Sequence, residues 1–197
     1  MQDYEKVKKF VKNYNGMLTS TDFKNNEISY FFVNKLIDDH IIERVDKGIY
    51  NKADEFEDVY FVIQKKYTKA IFSYNTALYF LGKTEVTPNR IDITIPYYCN
   101  YKNINKKYIT HYVKRDLINL GTTKVTTPFG NEVVCYNLER TICDIVRDKN
   151  SGLNIEQTNK IIRNAFLKKQ IDSVLLMEYA KELKCVKKIE NLTEVLS

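Results

Sequence analysis

Residues 29–50 read SYFFVNKLIDDHIIERVDKGIY, and the spacing of their apolar side chains changes once, near His40. Before that point Phe32, Val33, Leu36 and Ile37 share one helical face, with Ser29 able to cap the helix start. The opposite face carries Tyr30, Phe31, Asn34, Lys35 and Asp38. After it, Ile41-Ile42-Glu43-Arg44-Val45 is branched and alternating, as a strand is. Asp46-Lys47-Gly48 then makes a turn, Gly48 being free to take positive φ, and Ile49-Tyr50 returns as a second strand. The stretch is a helix running to about Asp39 or His40, followed directly by a hairpin.

Upstream, Tyr4, Val7, Phe10, Val11 and Tyr14 recur at helical spacing, and Asn15-Gly16 supplies residues that tolerate a left-handed backbone. Thr19, Ser20, Thr21 and Asp22 offer caps for a second, short helix that Asn25-Asn26 interrupts. Residues 1–52 are therefore expected to fold as helix–helix–helix–hairpin, the order of a winged helix-turn-helix. Such units most often lay one helix along a groove of duplex DNA. The helix that starts at Ser29 is the candidate for that role, with Arg44 and Lys47 at the hairpin where it would meet phosphates. The plain alternative is a small structural or protein-binding domain. Charge weighs on the same side as that alternative: residues 1–52 hold nine Lys/Arg against eight Asp/Glu. Phosphate neutralisation drives most non-specific DNA affinity, so this module alone is expected to bind weakly.

The chain of 197 residues has room for one domain or two modest ones, and its 44% hydrophobic and 28% charged residues are those of a globular protein. No stretch approaches eighteen apolar residues, and Met-Gln-Asp-Tyr-Glu at the start lacks the apolar core of a secretory signal. A cytoplasmic protein without membrane association is expected. Cys99, Cys135, Cys143 and Cys185 have no paired spacing for zinc, so free, mostly buried thiols, no metal and no cofactor are expected.

Asn51 to Asp58 is polar and acidic and marks the expected junction, with a C-terminal domain over 53–197. A helix over Val59 to Ile63 could pack on one module or bridge both. Strand patterns follow at Ala70 to Phe72, Ile91 to Ile95, Tyr108 to Val113, Lys124 to Thr127 and Glu132 to Tyr136, with a helix over Ser73 to Gly82. From Asn137 the chain turns helical: Asn137 and Asn154 can cap two helices, Leu175 to Leu183 marks a third, and Val186 to Leu196 adds a last one. The fold class is α+β, a mixed α/β domain ending in helices behind the N-terminal winged unit.

Residues 97–115 stand out. Between Asp92 and Asp116 there is no acid, and Lys102, Lys106, Lys107, Lys114 and Arg115 are interleaved with Tyr97, Tyr98, Tyr101, Tyr108 and Tyr112. Residues 53–197 hold twenty-two Lys/Arg against seventeen Asp/Glu, so most of the excess charge lies outside the winged unit. Basic and aromatic groups together suit nucleic-acid contact. A solvated loop whose tyrosines cover the sheet is the equal alternative. Lys65, Lys66 and Lys69 form a second basic cluster that could join in DNA contact.

Catalysis is not expected. Asp92, Glu132 and Lys124 have no compact nuclease spacing, and no phosphate-cradling Gly-rich loop, HExxH or GxSxG is present. Arg140 and Asp144 are one helical turn apart, the spacing of a salt bridge.

Three stretches in order resemble the AbiEi antitoxins of the AbiE abortive-infection systems. They are Asn15-Gly16 through Ser29 to Lys47-Gly48-Ile49-Tyr50; SYNTALYFLG over residues 73–82, then Pro88 and RIDITIP over residues 90–96; and LERTICDIVR over residues 138–147. The resemblance implies an antitoxin that represses its own operon by binding inverted repeats in the promoter. It also implies a C-terminal domain that counters a nucleotidyltransferase toxin without forming a stable complex, in a phage-defence, type IV arrangement. Carried onto this chain, Ser29, Tyr30, Phe31, Asn34 and Lys35 would face the major groove. Arg44 and Lys47 would contact the backbone, with Thr19 and Ser20 near phosphates at a helix N-terminus. Asn34 could pair with adenine and Lys35 with guanine. A monomer in solution that binds DNA cooperatively is expected. The rivals are an antitoxin that grips its toxin directly through the helices of 154–196, and a plain winged-helix transcription factor.

Overall fold

The computed structural model describes residues 3–148 and 155–196. Asn154, read above as a helix cap, lies outside the described residues. The chain divides into two compact units, residues 1–66 with 126–133, and residues 67–125 with 134–197.

In the first unit, helix α1 (Tyr4–Asn13) begins at Asp3, whose carboxylate accepts from the Glu5 N–H, and it buries Val7 and Val11. Gly16 follows at φ +77°, where a side chain would strain the backbone and strike the Asn131 amide. Strand β1 (Leu18–Thr19) leads into helix α2 (Ser20–Asn25). Thr19 and Asp22 close a reciprocal capping box there, two orphan donors satisfied by two side chains. Helix α3 (Tyr30–Asp38) buries Val33 and Leu36; Ser29 stands at its cap position but makes no side-chain cap hydrogen bond, contrary to expectation. Strands β2 (Ile42–Asp46) and β3 (Ile49–Lys52) form the hairpin, with Gly48 at φ +72° and a register shift between Arg44 and Asp46. The sheet order is β1-β3-β2, antiparallel throughout. The short β1 has no signature in the sequence; two residues carry no periodicity, and its register against Tyr50 and Ile49 is a long-range event. Val7, Val11, Leu18, Phe23, Ile28, Val33, Leu36, Ile42 and Tyr50 make the core.

This unit does not stop at residue 52. Helix α4 (Val59–Lys66) belongs to it, with Tyr60, Phe61 and Ile63 buried. Asp58, itself fully buried, accepts from the Tyr60 and Phe61 N–H groups through Oδ1. Its Oδ2 accepts from the Thr127 hydroxyl and the Asn131 amide. Asn131 Oδ1 in turn accepts from the Met17 N–H at 2.8 Å. One buried carboxylate thus ties residues far apart in sequence into one unit.

The second unit holds most of a five-stranded sheet, ordered β6-β5-β4-β8-β7. Its strands are β4 (Ile71–Phe72), β5 (Asp92–Pro96), β6 (Ile109–Val113), β7 (Thr122–Thr126) and β8 (Glu132–Tyr136). β4 runs antiparallel to β5 and parallel to β8, and β5 runs parallel to β6, so the sheet is mixed. Helices α5 (Tyr74–Phe80), α6 (Ile104–Lys107), α7 (Leu138–Arg147), α8 (Ile155–Leu167), α9 (Ser173–Glu182) and α10 (Val186–Leu196) complete it. The architecture is α+β. Residues from α5 and from α7 to α10 share one apolar core, including Leu78, Ile142, Ile162, Leu176 and Ile189. Asn137 caps α7 by accepting from the Arg140 N–H. Arg140 is fully buried yet well held: Nε donates to Asp144 at 2.9 Å, and Nη1 donates to the carbonyls of Leu117 and Leu120. The four cysteines are free thiols, three of them buried. Among the described residues no helix is long and apolar enough to cross a membrane.

Candidate nucleic-acid interface

The packing of α3 decides which of its side chains reach solvent. Val33 and Leu36 point into the core with Phe32 and Ile37 packed beside them, while Ser29 at the cap position and Tyr30, Phe31, Asn34 and Lys35 on the helix are all exposed. A helical repeat of 3.6 residues places Phe31, Asn34 and Lys35 on one stripe. The helix carries no acid in its first turn, and Asp38 and Asp39 lie at its far end. Tyr30 and Phe31 are 64% and 70% exposed, an unusual position for two large rings.

Lys35 does not hang free. Its ammonium lies 4.2 Å from the ring centroid of Tyr4 on α1, and Lys8 lies 4.7 Å from the same ring. Tyr4 donates its hydroxyl to Asp39 at 2.6 Å, and burial followed by that bond pushes its pKa up to about 12. The ring stacks on Phe32. Lys35 is thereby steered across the face of α1.

At the hairpin, Arg44 and Lys47 are exposed. A groove of about 570 Å³ runs between the start of α2 and the hairpin turn, lined by Ser20, Asp22, Asp46, Lys47, Lys65 and Lys66 among others. The Ser20 N–H donates to the Gly48 carbonyl at 2.9 Å, which fixes that edge. Two of the lysines read as a C-terminal cluster, Lys65 and Lys66, therefore belong to the first unit, while Lys69 belongs to the second. Lys66 donates to Asp46 at 2.5 Å. That bond, joined by the Lys47 N–H, holds the Asp46 carboxyl below the usual carboxylate range. Lys65 lies over the Phe61 ring at 4.9 Å. Thr19 is the exception among the N-terminal site residues: it is half-buried, and its hydroxyl is spent on Asp22 at 2.6 Å. The structure brings Ser20, Lys47, Lys65 and Lys66 to one groove and sets Tyr30, Phe31, Asn34 and Lys35 on one helix.

The basic residues of 97–115 lie in the second unit. Lys102, Lys106, Lys107, Lys114 and Arg115 are all exposed, Lys106 and Lys107 in the last turn of the short α6. Their tyrosines split between both sequence readings. Tyr101 and Tyr108 pack edge-on against buried Tyr67, whereas Tyr97 and Tyr98 are exposed, with Tyr97 stacked on Tyr112 and Arg115 over Tyr98.

One polar cluster in the second unit escapes the sequence reading. Asp92, fully buried on β5, meets His111 Nε2 on β6 at 2.9 Å. The imidazole stacks on Tyr74 with centroids 3.7 Å apart, and the Tyr74 hydroxyl donates to Asp148. Burial raises the pKa of Asp92, with His111 acting against it. The available signal is a single acid in the strand stretch RIDITIP, whose isoleucines alternate with it. Tyr74, His111 and Asp148 line a cleft of about 770 Å³ whose lining carries both charge signs, Lys114, Arg147 and Lys184 with Asp116, Asp148 and Glu182. Glu132 and Lys124, considered with Asp92 as a nuclease set, are exposed, unlike Asp92. Among the described residues no three His, Cys, Asp or Glu side chains are placed to hold a metal ion.

No protein-family model matches the chain, and no curated protein matches it. Among solved structures it is similar to the RV2827C protein from Mycobacterium tuberculosis, with 11% identity and a TM-score of 0.44. That similarity covers 92% of this chain and 75% of the other. At that score it carries no argument about function or site.

Proposed function

We propose that the chain is the antitoxin and transcriptional autorepressor of a toxin–antitoxin operon in phage defence, binding inverted repeats in its own promoter. Its first unit would act as a winged helix-turn-helix, α3 reading the major groove and the β2–β3 hairpin serving as the wing. The observation that carries the reading is the outward stripe of α3, where an amide, an ammonium and two aromatic rings stand exposed over a well-packed core. Asn and Lys are base-edge readers by their hydrogen-bonding geometry. Exposed Arg44, Lys47 and Ser20 are placed at the hairpin turn and the start of α2, where phosphates would be met. Support for the antitoxin role is the resemblance to AbiEi proteins, whose partners are nucleotidyltransferase toxins. The reading includes no catalytic activity of the chain itself, a cytoplasmic site of action, and no cofactor.

Footprinting of the full chain on the DNA just upstream of its own gene tests the repressor half. A protected pair of inverted repeats is expected. Asn34→Ala with Lys35→Ala is expected to lower affinity about tenfold or more, since a good base contact discriminates by about 1–3 kcal/mol. Unchanged occupancy by the double variant would remove α3 from the interface. For the antitoxin half, co-expression with the product of a neighbouring nucleotidyltransferase gene should rescue growth with no stable complex on co-purification.

A stable complex would favour the second reading, direct toxin capture. One observation favours it: Leu167 at the end of α8 and Val174 at the start of α9 are largely exposed apolar side chains.

A further inference from the structure

Asn34 and Lys35 are hydrogen-bonding readers; the residue one turn before them is not. Phe31 lies at i−3 and i−4 to them, on the same stripe, and stays 70% exposed. Its neighbour Tyr30 rims an apolar hollow of about 370 Å³ floored by Phe23, Ile28, Val33 and Tyr50. Phe31 instead meets Phe32 edge-on with centroids 5.5 Å apart. Phe32 stacks on Tyr4, over which Lys8 and Lys35 lie. The phenyl ring is thus buttressed by an aromatic stack with two ammonium groups on it, and it still faces water. Lys8 also pairs with Glu5 and Tyr4 with Asp39, so the surround carries both charge signs. It is the place of the ring on the outward face of α3 that sets it against a base-pair edge in the DNA-binding reading.

A base-pair edge in the major groove offers donors, acceptors and one apolar feature, the C5-methyl group of thymine. We infer that Phe31 is a thymine reader: on binding, its ring covers a thymine methyl in each half-site, next to the bases contacted by Asn34 and Lys35. The inference rests on the DNA-binding reading above and adds the base chemistry that the helix selects. It makes Phe31 a specificity-determining residue whose contribution comes from methyl burial and not from hydrogen bonding.

The test uses the full-length chain and the promoter duplex from upstream of its gene, prepared once with thymidine and once with deoxyuridine throughout. Deoxyuridine keeps every base-pairing group of thymidine and lacks the methyl. Wild type is expected to bind the deoxyuridine duplex about fourfold more weakly per methyl covered, hence more than tenfold for two half-sites. Phe31→Ala is expected to bind both duplexes equally, at the level of wild type on deoxyuridine. Phe31→Leu, still apolar, should keep part of the preference for thymidine, and Asn34→Ala should keep all of it while binding more weakly. The double-mutant comparison cancels any change in duplex shape that the base replacement causes.

Wild type that binds both duplexes equally well would overturn the inference and leave the DNA-binding reading standing. Phe31→Ala that weakens both duplexes by the same factor would also overturn it, and would point to a wedge between base steps. Failure of wild type to bind either duplex would end the DNA-binding reading itself, and this inference with it.

Discussion

The two compact units differ most in charge. The first holds eleven Lys/Arg against thirteen Asp/Glu, the second twenty against twelve. The first has the exposed face of α3; the second has the excess positive charge. Extending the N-terminal module through residue 66 and adding residues 126–133 sharpens the contrast, because those segments bring Asp54, Glu55, Glu57, Asp58 and Glu132. In our proposed function, specificity comes from the first unit and much of the salt-dependent affinity from the second.

The strongest way to break that division is to remove the carboxylate that organises the first unit. Asp58→Ala would leave the N–H groups of Tyr60 and Phe61 and the side chains of Thr127 and Asn131 without their acceptor. Loss of about 2–4 kcal/mol is expected. Hydrogen exchange should show faster opening of α1 to α4, with the α7–α9 amides unchanged; equal loosening of both units would mean that they fold as one. For the same reason a fragment ending at residue 52 is expected to be poorly folded, and the full chain is the proper material for binding work.

Next in size is the charge of the second unit. Lys102→Gln with Lys106→Gln and Lys107→Gln should lower the slope of log affinity against log salt by about 0.9 for each phosphate that is no longer neutralised. The footprint should keep its position. An unchanged slope would assign the attraction to the first unit despite its net acidity.

A smaller effect is expected at Asp92. Its folded pKa is raised, chiefly by burial, so the ionised form is disfavoured in the native state relative to the unfolded chain. The contribution therefore improves as pH falls through the folded value. Asp92→Asn, which keeps an acceptor for His111 without the buried charge, is expected to raise melting temperature slightly at neutral pH and to flatten its pH dependence. A marked drop would show that the Asp92 carboxyl beside His111 is needed for packing.

The smallest effect concerns the Asp46–Lys66 pair beside the hairpin turn. The folded pKa of Asp46 is lowered, foremost by Lys66, so its stabilising effect is present at neutral pH and fades as pH falls through the carboxylate range. Both side chains are partly exposed, and salt screens such pairs. Lys66→Gln should reduce that acid dependence, leaving the part due to the Lys47 N–H, as followed by the Asp46 carboxyl resonance, with little change in melting temperature.

The sequence and the structure agree wherever a single helix or strand can be read from neighbours. Val7 and Val11, Val33 and Leu36, and the Asn137 cap are local patterns, and each appears as read. So does the Arg140–Asp144 bridge, an ion pair within one helical turn. What escapes depends on partners distant in the chain. Ser29 has the chemistry of a cap but makes no side-chain cap hydrogen bond. The outward stripe of α3 is legible as the complement of its buried face; the approach of Lys35 to Tyr4 is not, because it needs α1 beside α3.

From residue order alone follow the α+β class, the three helices and hairpin at the front, the free thiols, and the uneven charge. These rest on periodicities of two and 3.6 residues and on counting, both blind to folding. Where the first unit ends is decided only by the folded chain, since the Asp58 carboxylate gathers donors more than sixty positions away. The same holds for Asp92, His111 and Tyr74, brought together by a parallel strand pair and a helix that no local pattern could have aligned.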